Sequence, residues 1–434
     1  MPKFKILGDS TIFSDKDFIK LWLSQVLSMP ASHMLNFILA IRVFEISGSN
    51  FIVSLLVALI TIPPILFSSV AGVLADSLNR KVILIVSNLL RGVVVLGLIF
   101  FGDSYHAMLV VAFLIAFISV FFGPAESASI PALTKKENLL MANTLFLFTL
   151  YAGFLLGYSL AGPLLVWFGD DVYFVLILAF LLATFVDTLL PPIRNIVIQK
   201  EEIKNDVKKG LRSMVEKMKE GLAYIKHEPL LLMAMLQITF VFSIERGVVG
   251  LVPDFALNFL HITVGQIGYF LIAPIGLGAM TGALLVNRYK HKVSKRKLIN
   301  AGILVDAITL SLLPLYGLME KHASNFGYSE NYFWMMIFYV MVLMFLSGVA
   351  DVAIIVSAQT MLQEESQSEK RGRVFGNLTM IMNLVGLPVI LIVGWLATLY
   401  PVGRIIQVFG LMTLVMGIAS VIVNKKKIDP LLQK

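Results

Sequence analysis

Five ionisable side chains stand inside long apolar stretches of this sequence: His33, Glu126, Glu245, Arg246 and Asp351. A charge at the centre of a hydrocarbon layer costs on the order of 2.5–3.5 kcal/mol or more, so each needs a reason to be there. The chemistry open to these types is proton uptake and release, or binding of a polar ligand. An imidazole titrates near neutral pH. His33 lies mid-stretch close to Ser32 and Asn36, and reads equally as a proton relay or as an interhelical hydrogen bond. Glu245 and Arg246 are adjacent, hence about 100° apart around a helix, and cannot face each other. Each needs a partner elsewhere, and Asp351 suits Arg246. Substrate or proton binding is the expected role of this group, against a structural ion pair. Glu126 falls about a turn from the end of its stretch, where bracing the loop Asp76–Arg80 is the competing role. Arg42, Arg91, Asp187 and Asp306 stand nearer to interfaces or alone, and are read as structural.

Covalent and metal chemistry find no footing. Cysteine is absent, so neither disulfides nor thiolates enter. No H-E-x-x-H, G-x-S-x-G or Walker A run occurs, and Gly157-Tyr158-Ser159-Leu160-Ala161-Gly162 lacks the spacing and context of a nucleophile elbow. No cofactor, metal site, enzymatic activity or ATP-driven pumping by this chain alone is expected.

The elements that must position these residues are membrane helices. The chain has 434 residues, 58% of them hydrophobic and 14% charged, against about 45–50% and about 25% in soluble proteins. The apolar residues gather in runs long enough to cross roughly 30 Å of hydrocarbon, and backbone groups in lipid must be satisfied internally, which makes the runs helical. Twelve spans are read, at residues 18–44, 51–75, 82–101, 106–131, 139–166, 172–190, 230–258, 264–286, 298–318, 332–361, 374–399 and 403–423. The longest of them are expected to tilt. The polar, basic first twenty residues and the length of the first span argue against a cleavable signal peptide.

Charge then gives orientation. Of the 35 Lys and Arg, only Arg42, Arg91, Arg246, Lys321 and Arg404 fall outside the segments on the side of the termini. The positive-inside rule therefore predicts both termini in the cytoplasm, in a cytoplasmic (inner) membrane. The net charge of +8 has a topological cause, and no nucleic-acid partner is expected. Three parts follow: a six-helix bundle over 1–190, a linker over 191–228 and a second six-helix bundle over 229–434. In the linker Leu211, Met214, Val215, Met218, Leu222 and Ile225 recur at helical spacing between charges, predicting an amphipathic helix.

The halves echo each other. Gly123-Pro124-Ala125-Glu126 answers to Gly348-Val349-Ala350-Asp351, and Met141-Ala142-Asn143 to Phe375-Gly376-Asn377. Repeats related by pseudo-symmetry are the construction that permits alternating access around a midplane site.

After the second span the sequence reads Gly72-Val73-Leu74-Ala75-Asp76-Ser77-Leu78-Asn79-Arg80-Lys81. This resembles the loop signature of the major facilitator superfamily, at Gly72, Asp76, Arg80 and Lys81. Ser77 and Asn79 depart from it, and Asn tolerates positive φ well enough for the turn to survive. The resemblance implies that Asp76 binds the start of the eleventh helix, beside Arg371 and Arg373, as a cytoplasmic gate. A carboxylate is favoured near a helix N-terminus. Gln363 with Arg371-Gly372-Arg373-Val374-Phe375, Leu21-Trp22-Leu23-Ser24-Gln25 with Ser28, and Glu137-Asn138-Leu139 with Ala142-Asn143 are similar to the macrolide-efflux and enterobactin-exporter branch. That branch commonly carries an acid where this chain has Ser32.

The resemblance implies an all-α integral membrane protein of two pseudo-symmetric six-helix bundles. It implies a secondary transporter in which helices one, four, seven and ten line the cavity. An exporter of amphipathic or lipophilic compounds, such as macrolides or siderophores, is expected, with protons as coupling ion and a monomeric state. A lysophospholipid flippase is the alternative, since Pro124-Ala125 through Leu155-Leu156-Gly157 also resembles that related branch. Exporters of the superfamily carry a Gly-Pro motif in helix five. Here it is partial: Gly153, Gly157 and Gly162-Pro163 are present, but Tyr158 follows Gly157, and small residues at this spacing also serve packing. The fourth-helix Arg motif of proton-driven antiporters is absent. The 20 Met and 31 Phe suit an adaptable apolar cavity and equally a lipid-facing surface.

Overall fold

The computed structural model describes residues 11–193, 229–289, 292–326, 330–366 and 371–423. The linker's expected amphipathic helix lies outside the described residues. Within them the secondary structure is helical, without strands.

Six long helices precede the linker: α1 (Lys16–Ser47), α2 (Asn50–Ser77), α3 (Arg80–Phe101), α4 (Tyr105–Leu133), α5 (Leu139–Phe168) and α6 (Val172–Thr188). Six follow it: α7 (Pro229–Val249), α8 (Val264–Tyr289), α9 (Lys295–Leu312), α10 (Glu330–Glu365), α11 (Arg371–Leu399) and α12 (Val402–Val423). Eleven apolar helical stretches are long enough to cross a membrane. One of them, Lys136–Thr188, has 53 residues, about 80 Å at 1.5 Å per residue, more than twice the hydrocarbon thickness. It makes two crossings, α5 and α6, because Gly169 takes φ +55° and a short turn, Gly169–Asp171, reverses the chain.

Two spans end earlier than the apolar pattern predicts. α7 stops at Val249 rather than at 258, and Val252–Asp254 and the π-turn Phe255–Phe259 follow as separate pieces. Pro253 has no N–H to offer the Val249 carbonyl, which breaks the ladder. α9 stops at Leu312 rather than at 318, ahead of Pro314, and Leu315–Phe326 forms a short helix of its own.

The chain forms two compact units. One takes Met1–Leu39 and Leu66–Arg212, the other Ala40–Ile65 and Ser213–Lys434. α2 therefore contributes to both, and it carries Pro63 and Pro64 just before the change. In the first unit α3 packs on α4 and α6; in the second α9 packs on α10 and α12. The sequence repeat is thus also a repeat of packing. The first unit's core at its terminal end gathers Phe18, Leu21, Ala75, Leu84, Phe122 and Ala142. There Asp15 ties the start of α1 to the α4–α5 loop, accepting from the Asn138 amide at 2.8 Å and the Lys135 backbone N–H at 3.1 Å. The Asn138 amide and the neighbouring Lys135 hold the Asp15 carboxyl below its ordinary value of 3.8. The second unit's core joins Leu231, Met235, Ile238, Ile303, Ile354 and Leu378 from α7, α9, α10 and α11.

Candidate functional site

In the first unit Asn88 and Arg91 stand a turn apart on α3, both buried. The Asn88 amide donates to Asp187 Oδ2 of α6 at 2.8 Å and to Ser24 Oγ of α1 at 3.3 Å. Arg91 donates to Asn88 Oδ1 and to Ser119 Oγ of α4, each at 3.0 Å, and lies 4.3 Å from the Phe122 ring centroid. Glu126 is 1% exposed. Among the described residues neither of its carboxylate oxygens has a hydrogen-bond partner, and the charges beside it are Arg91 and Asp187. It stands seven residues before the end of α4, about two turns, rather than one. The Asp76–Arg80 loop is held by a different group, the Ala128 carbonyl, to which Arg80 donates at 2.7 Å.

In the second unit Glu245 of α7 and Asp351 of α10 are buried against each other, with Asp306 of α9 beside both. Asp306 Oδ1 accepts from Ser347 Oγ at 2.8 Å, and Ser347 and Thr309 share a hydroxyl contact of 2.9 Å. Asp351 thus stands against Glu245, the sequence neighbour of the Arg246 expected to pair with it. Arg246 donates to Thr61 Oγ1 of α2 at 3.3 Å and lies 4.7 Å from the Phe242 ring centroid. Neighbours in sequence point to different helices, as the helical period requires. Among the described residues no group of three or more His, Cys, Asp or Glu is placed to hold a metal ion.

His33 sits at mid-helix in α1 with its ring against Phe154 and Tyr158 of α5, at centroid distances of 5.4 and 5.9 Å. Ser32 bonds its own helix, at Ser28 O, rather than the imidazole. The two helices touch where α5 carries glycine. A Cβ at Gly157 would lie 2.7 Å from Pro30 O, and one at Gly153 3.2 Å from Met29 Cβ. Gly162 is buried further along α5.

At the α2–α3 turn Asp76 is 75% exposed, 3.6 Å from Arg80. Arg80 also donates to Ala75 O, and Lys81 Nζ to Thr188 O at 2.7 Å and Leu190 O at 2.5 Å, which pins the turn to α6. Asn79 does not use the left-handed region: at φ −66° it is the N-cap of α3, accepting from Lys81 N–H. Among the described residues nothing comes within 4 Å of a Cβ built at Gly72, so no close approach explains it. The side chains of Arg371 and Arg373 lie outside the described residues.

Sequence reasoning left Arg91, Asp187 and Asp306 out of the site, yet all three are buried within these clusters. The signal that finds them is positional. Counting from Arg80 and from Lys295, Arg91 and Asp306 are each the twelfth residue of their helix. Each also touches a serine of the following helix, Ser119 or Ser347.

A family model described as Major Facilitator Superfamily matches residues 21–337. The chain is 23% identical over 393 residues to an uncharacterized MFS-type transporter, YfiS, of Bacillus subtilis (strain 168), covering 89% of this chain and 88% of that one. It is 25% identical over 292 residues to the enterobactin exporter EntS of Citrobacter koseri, covering 66% and 67%. It is 22% identical over 313 residues to macrolide efflux protein A of Streptococcus pyogenes, covering 69% and 74%. Among solved structures it is similar to the nucleoside transporter NupG, with a TM-score of 0.65 at 13% identity over 93% of this chain and 99% of that one. It is also similar to a bacterial homologue of the iron transporter ferroportin in an inward-facing state, with a TM-score of 0.65 at 15% identity over 95% and 98%.

Proposed function

The chain belongs to the Major Facilitator Superfamily, and from that membership we propose that it is a proton-coupled exporter of amphipathic or lipophilic small molecules. It is a multi-pass membrane transporter and not an enzyme. Alternating access is general to the superfamily. Named exporters among its relatives, of enterobactin and of macrolides, support the direction of transport.

The observation that carries proton coupling is the burial of two carboxyl groups, Glu245 and Asp351, against each other. With a proton between them the pair is compact. Without it, two carboxylates in a low-dielectric site repel strongly. Loading and release therefore change the preferred distance between α7 and α10, the kind of differential strain that can bias one access state against the other. The His33, Phe154 and Tyr158 rings form an aromatic wall suited to the apolar part of a substrate. Both termini face the cytoplasm and the protein acts as a monomer. Asp76, with Arg80 and Lys81 fixing its turn, meets the start of α11 near Arg371 and Arg373 to close the cytoplasmic side. Replacing Asp76 with Asn then raises the reactivity of cysteines engineered into the cytoplasmic half of the cavity; unchanged reactivity would remove Asp76 from the gate.

The deciding experiment is uptake of a panel of macrolides and lipophilic dyes into inside-out vesicles, with and without a pH gradient. Gradient-driven uptake that is lost in Glu245→Gln and Asp351→Asn supports the reading. Uptake indifferent to the gradient sinks the proton, and no uptake of any compound sinks the exporter and moves the test to lysophospholipid.

A further inference from the structure

The stretch of α10 that leads into Asp351, residues 345–350, is held at the level of the backbone. α10 packs on α8 and on α9, all within one unit. On the α8 side glycines make the contact. A Cβ at Gly278 would overlap the Phe345 carbonyl oxygen, and one at Gly348 would overlap that of Ile275. A Cβ at Gly282 would lie 2.8 Å from Val349 O. On the α9 side a Cβ at Gly302 would lie 2.9 Å from Ala350 O and 2.7 Å from Ile354 Cγ1. Ser347 of the same stretch donates to Asp306 of α9 at 2.8 Å. Positions without side chains are what let three backbones come this close.

The repeated motif does not require this contact. Gly123-Pro124-Ala125-Glu126 answers to Gly348-Val349-Ala350-Asp351, yet among the described residues nothing comes within 4 Å of a Cβ built at Gly123. The glycine before the acid is in contact in one unit and out of contact in the other. Nor is α10 held this way by α7, which carries Glu245. Ile238 and Ile354 share a core there through their side chains, and Gly247 of α7 faces Val393 of α11 and Phe409 of α12. Side chains yield by changing rotamer, whereas two backbones in contact cannot. Reacting groups need to be held within about 0.5 Å of their working position. Among the described residues Asp351 Oδ1 is buried without a hydrogen-bond partner, so no donor fixes that oxygen and the backbone has to.

We propose that Gly348, with Gly282 and Gly302, is a positioning residue for the proton: this glycine seat fixes the α10 backbone so that the Asp351 carboxyl stands against Glu245. The inference rests on the reading that this pair carries the proton. The titratable groups beside Asp351 are Glu245 of α7 and Asp306 of α9, with Arg246 beside Glu245. α8 adds only Arg288, exposed in its last turn. Gly348→Ala puts a methyl group where Ile275 O now lies, so α10 must shift on α8 and carry Asp351 with it. The repulsion between the two carboxyl groups depends steeply on their separation, so both titrations move although only one of the two helices has been altered.

The test uses the whole chain in detergent and a membrane-soluble carbodiimide, which modifies carboxyl groups in their protonated form. Mass spectrometry reads the extent of modification at Asp351, Glu245 and Glu126 across pH. Gly348→Ala moves the midpoints of Asp351 and Glu245 by about one pH unit and leaves that of Glu126, in the other unit, in place. Gly302→Ala is the smaller intrusion, moves the same two midpoints by less, and serves where Gly348→Ala does not fold. Gly123→Ala moves none of the three. Midpoints of Asp351 and Glu245 unmoved by Gly348→Ala and Gly302→Ala, while uptake into vesicles still follows the pH gradient, overturn the seat alone. A Glu126 midpoint that shifts with the others also overturns it, since that is general loosening. Uptake indifferent to the gradient, with no modification of Asp351 at any pH in the unaltered protein, overturns the proton reading and the seat with it.

Discussion

The two halves of this protein bury polar clusters at matching places and balance them in opposite ways. In the first, Arg91 stands at the twelfth position of α3 between two acids, Glu126 and Asp187, and its guanidinium is held by Asn88 and Ser119. In the second, that position of α9 is Asp306, and the cluster is three acids, Glu245, Asp306 and Asp351. α12, also packed on α9, offers no cation there: its one charged residue is the exposed Arg404 at its first turn. Arg246 of α7 is close, but it reaches Thr61. The difference teaches that one architecture can make a brace or a switch by a single charge reversal. A cluster built around its own cation needs no mobile charge, whereas crowded acids far from water are the arrangement on which the proposed proton coupling rests.

The sharpest way to break this comparison is to remove the brace. Arg91→Met strands two buried acids and should destabilise the protein by about 3–5 kcal/mol, read as a lowered unfolding midpoint in detergent. Adding Glu126→Gln should recover part of that loss through coupling, and no recovery would mean that the two do not interact. Next in size is the switch. Glu245→Gln or Asp351→Asn should cut gradient-driven uptake about tenfold or more, about 1.4 kcal/mol, while facilitated exchange without a gradient persists. Asp306→Asn should act with the opposite sign to Arg91→Met. Relieving one of three crowded acids should raise the midpoint by about 2–4 °C, and a lowered midpoint would show Asp306 to be a brace after all. The smallest effect is expected outside both clusters, at Asp15. Its carboxyl is held below the ordinary 3.8. Its tie to Asn138 therefore contributes fully above the unfolded value of about 3.9 and is lost as pH falls through the lower folded value. Asn138→Ala should destabilise at neutral pH and lose its effect in acid, which thermal scans across pH would follow.

Much of this was legible in the sequence, because in lipid the apolar run is the helix. Ten of the twelve spans needed only hydropathy, and Gly169 with Asp170 and Asp171 marks the turn that divides the other two, α5 and α6. The early ends of α7 and α9 were written in Pro253 and Pro314, but an apolar window runs past a proline without noticing it. The acids at Glu126, Glu245 and Asp351 were visible because a carboxylate in an apolar stretch stands out. Their partners were not. Spacing says which way a side chain leaves its helix but not which helix stands there, so the contacts of Asp351 with Glu245 and of Arg246 with Thr61 were out of reach. Arg91 and Asp306 were discounted one at a time. Their meaning appears only when α3 and α9 are laid on each other, which requires helix starts that a hydropathy profile does not fix to a residue.

The proline pair in α2 has a further consequence. Pro63 and Pro64 offer no N–H to the carbonyls of Leu59 and Ile60, so the hydrogen-bond ladder of this helix is interrupted where the chain passes from one compact unit to the other. Amide exchange should then see two segments where the eye sees one rod. Deuterium uptake before Thr61 should follow the second unit, while uptake beyond Leu66 should follow the first, and a ligand that quiets one need not quiet the other.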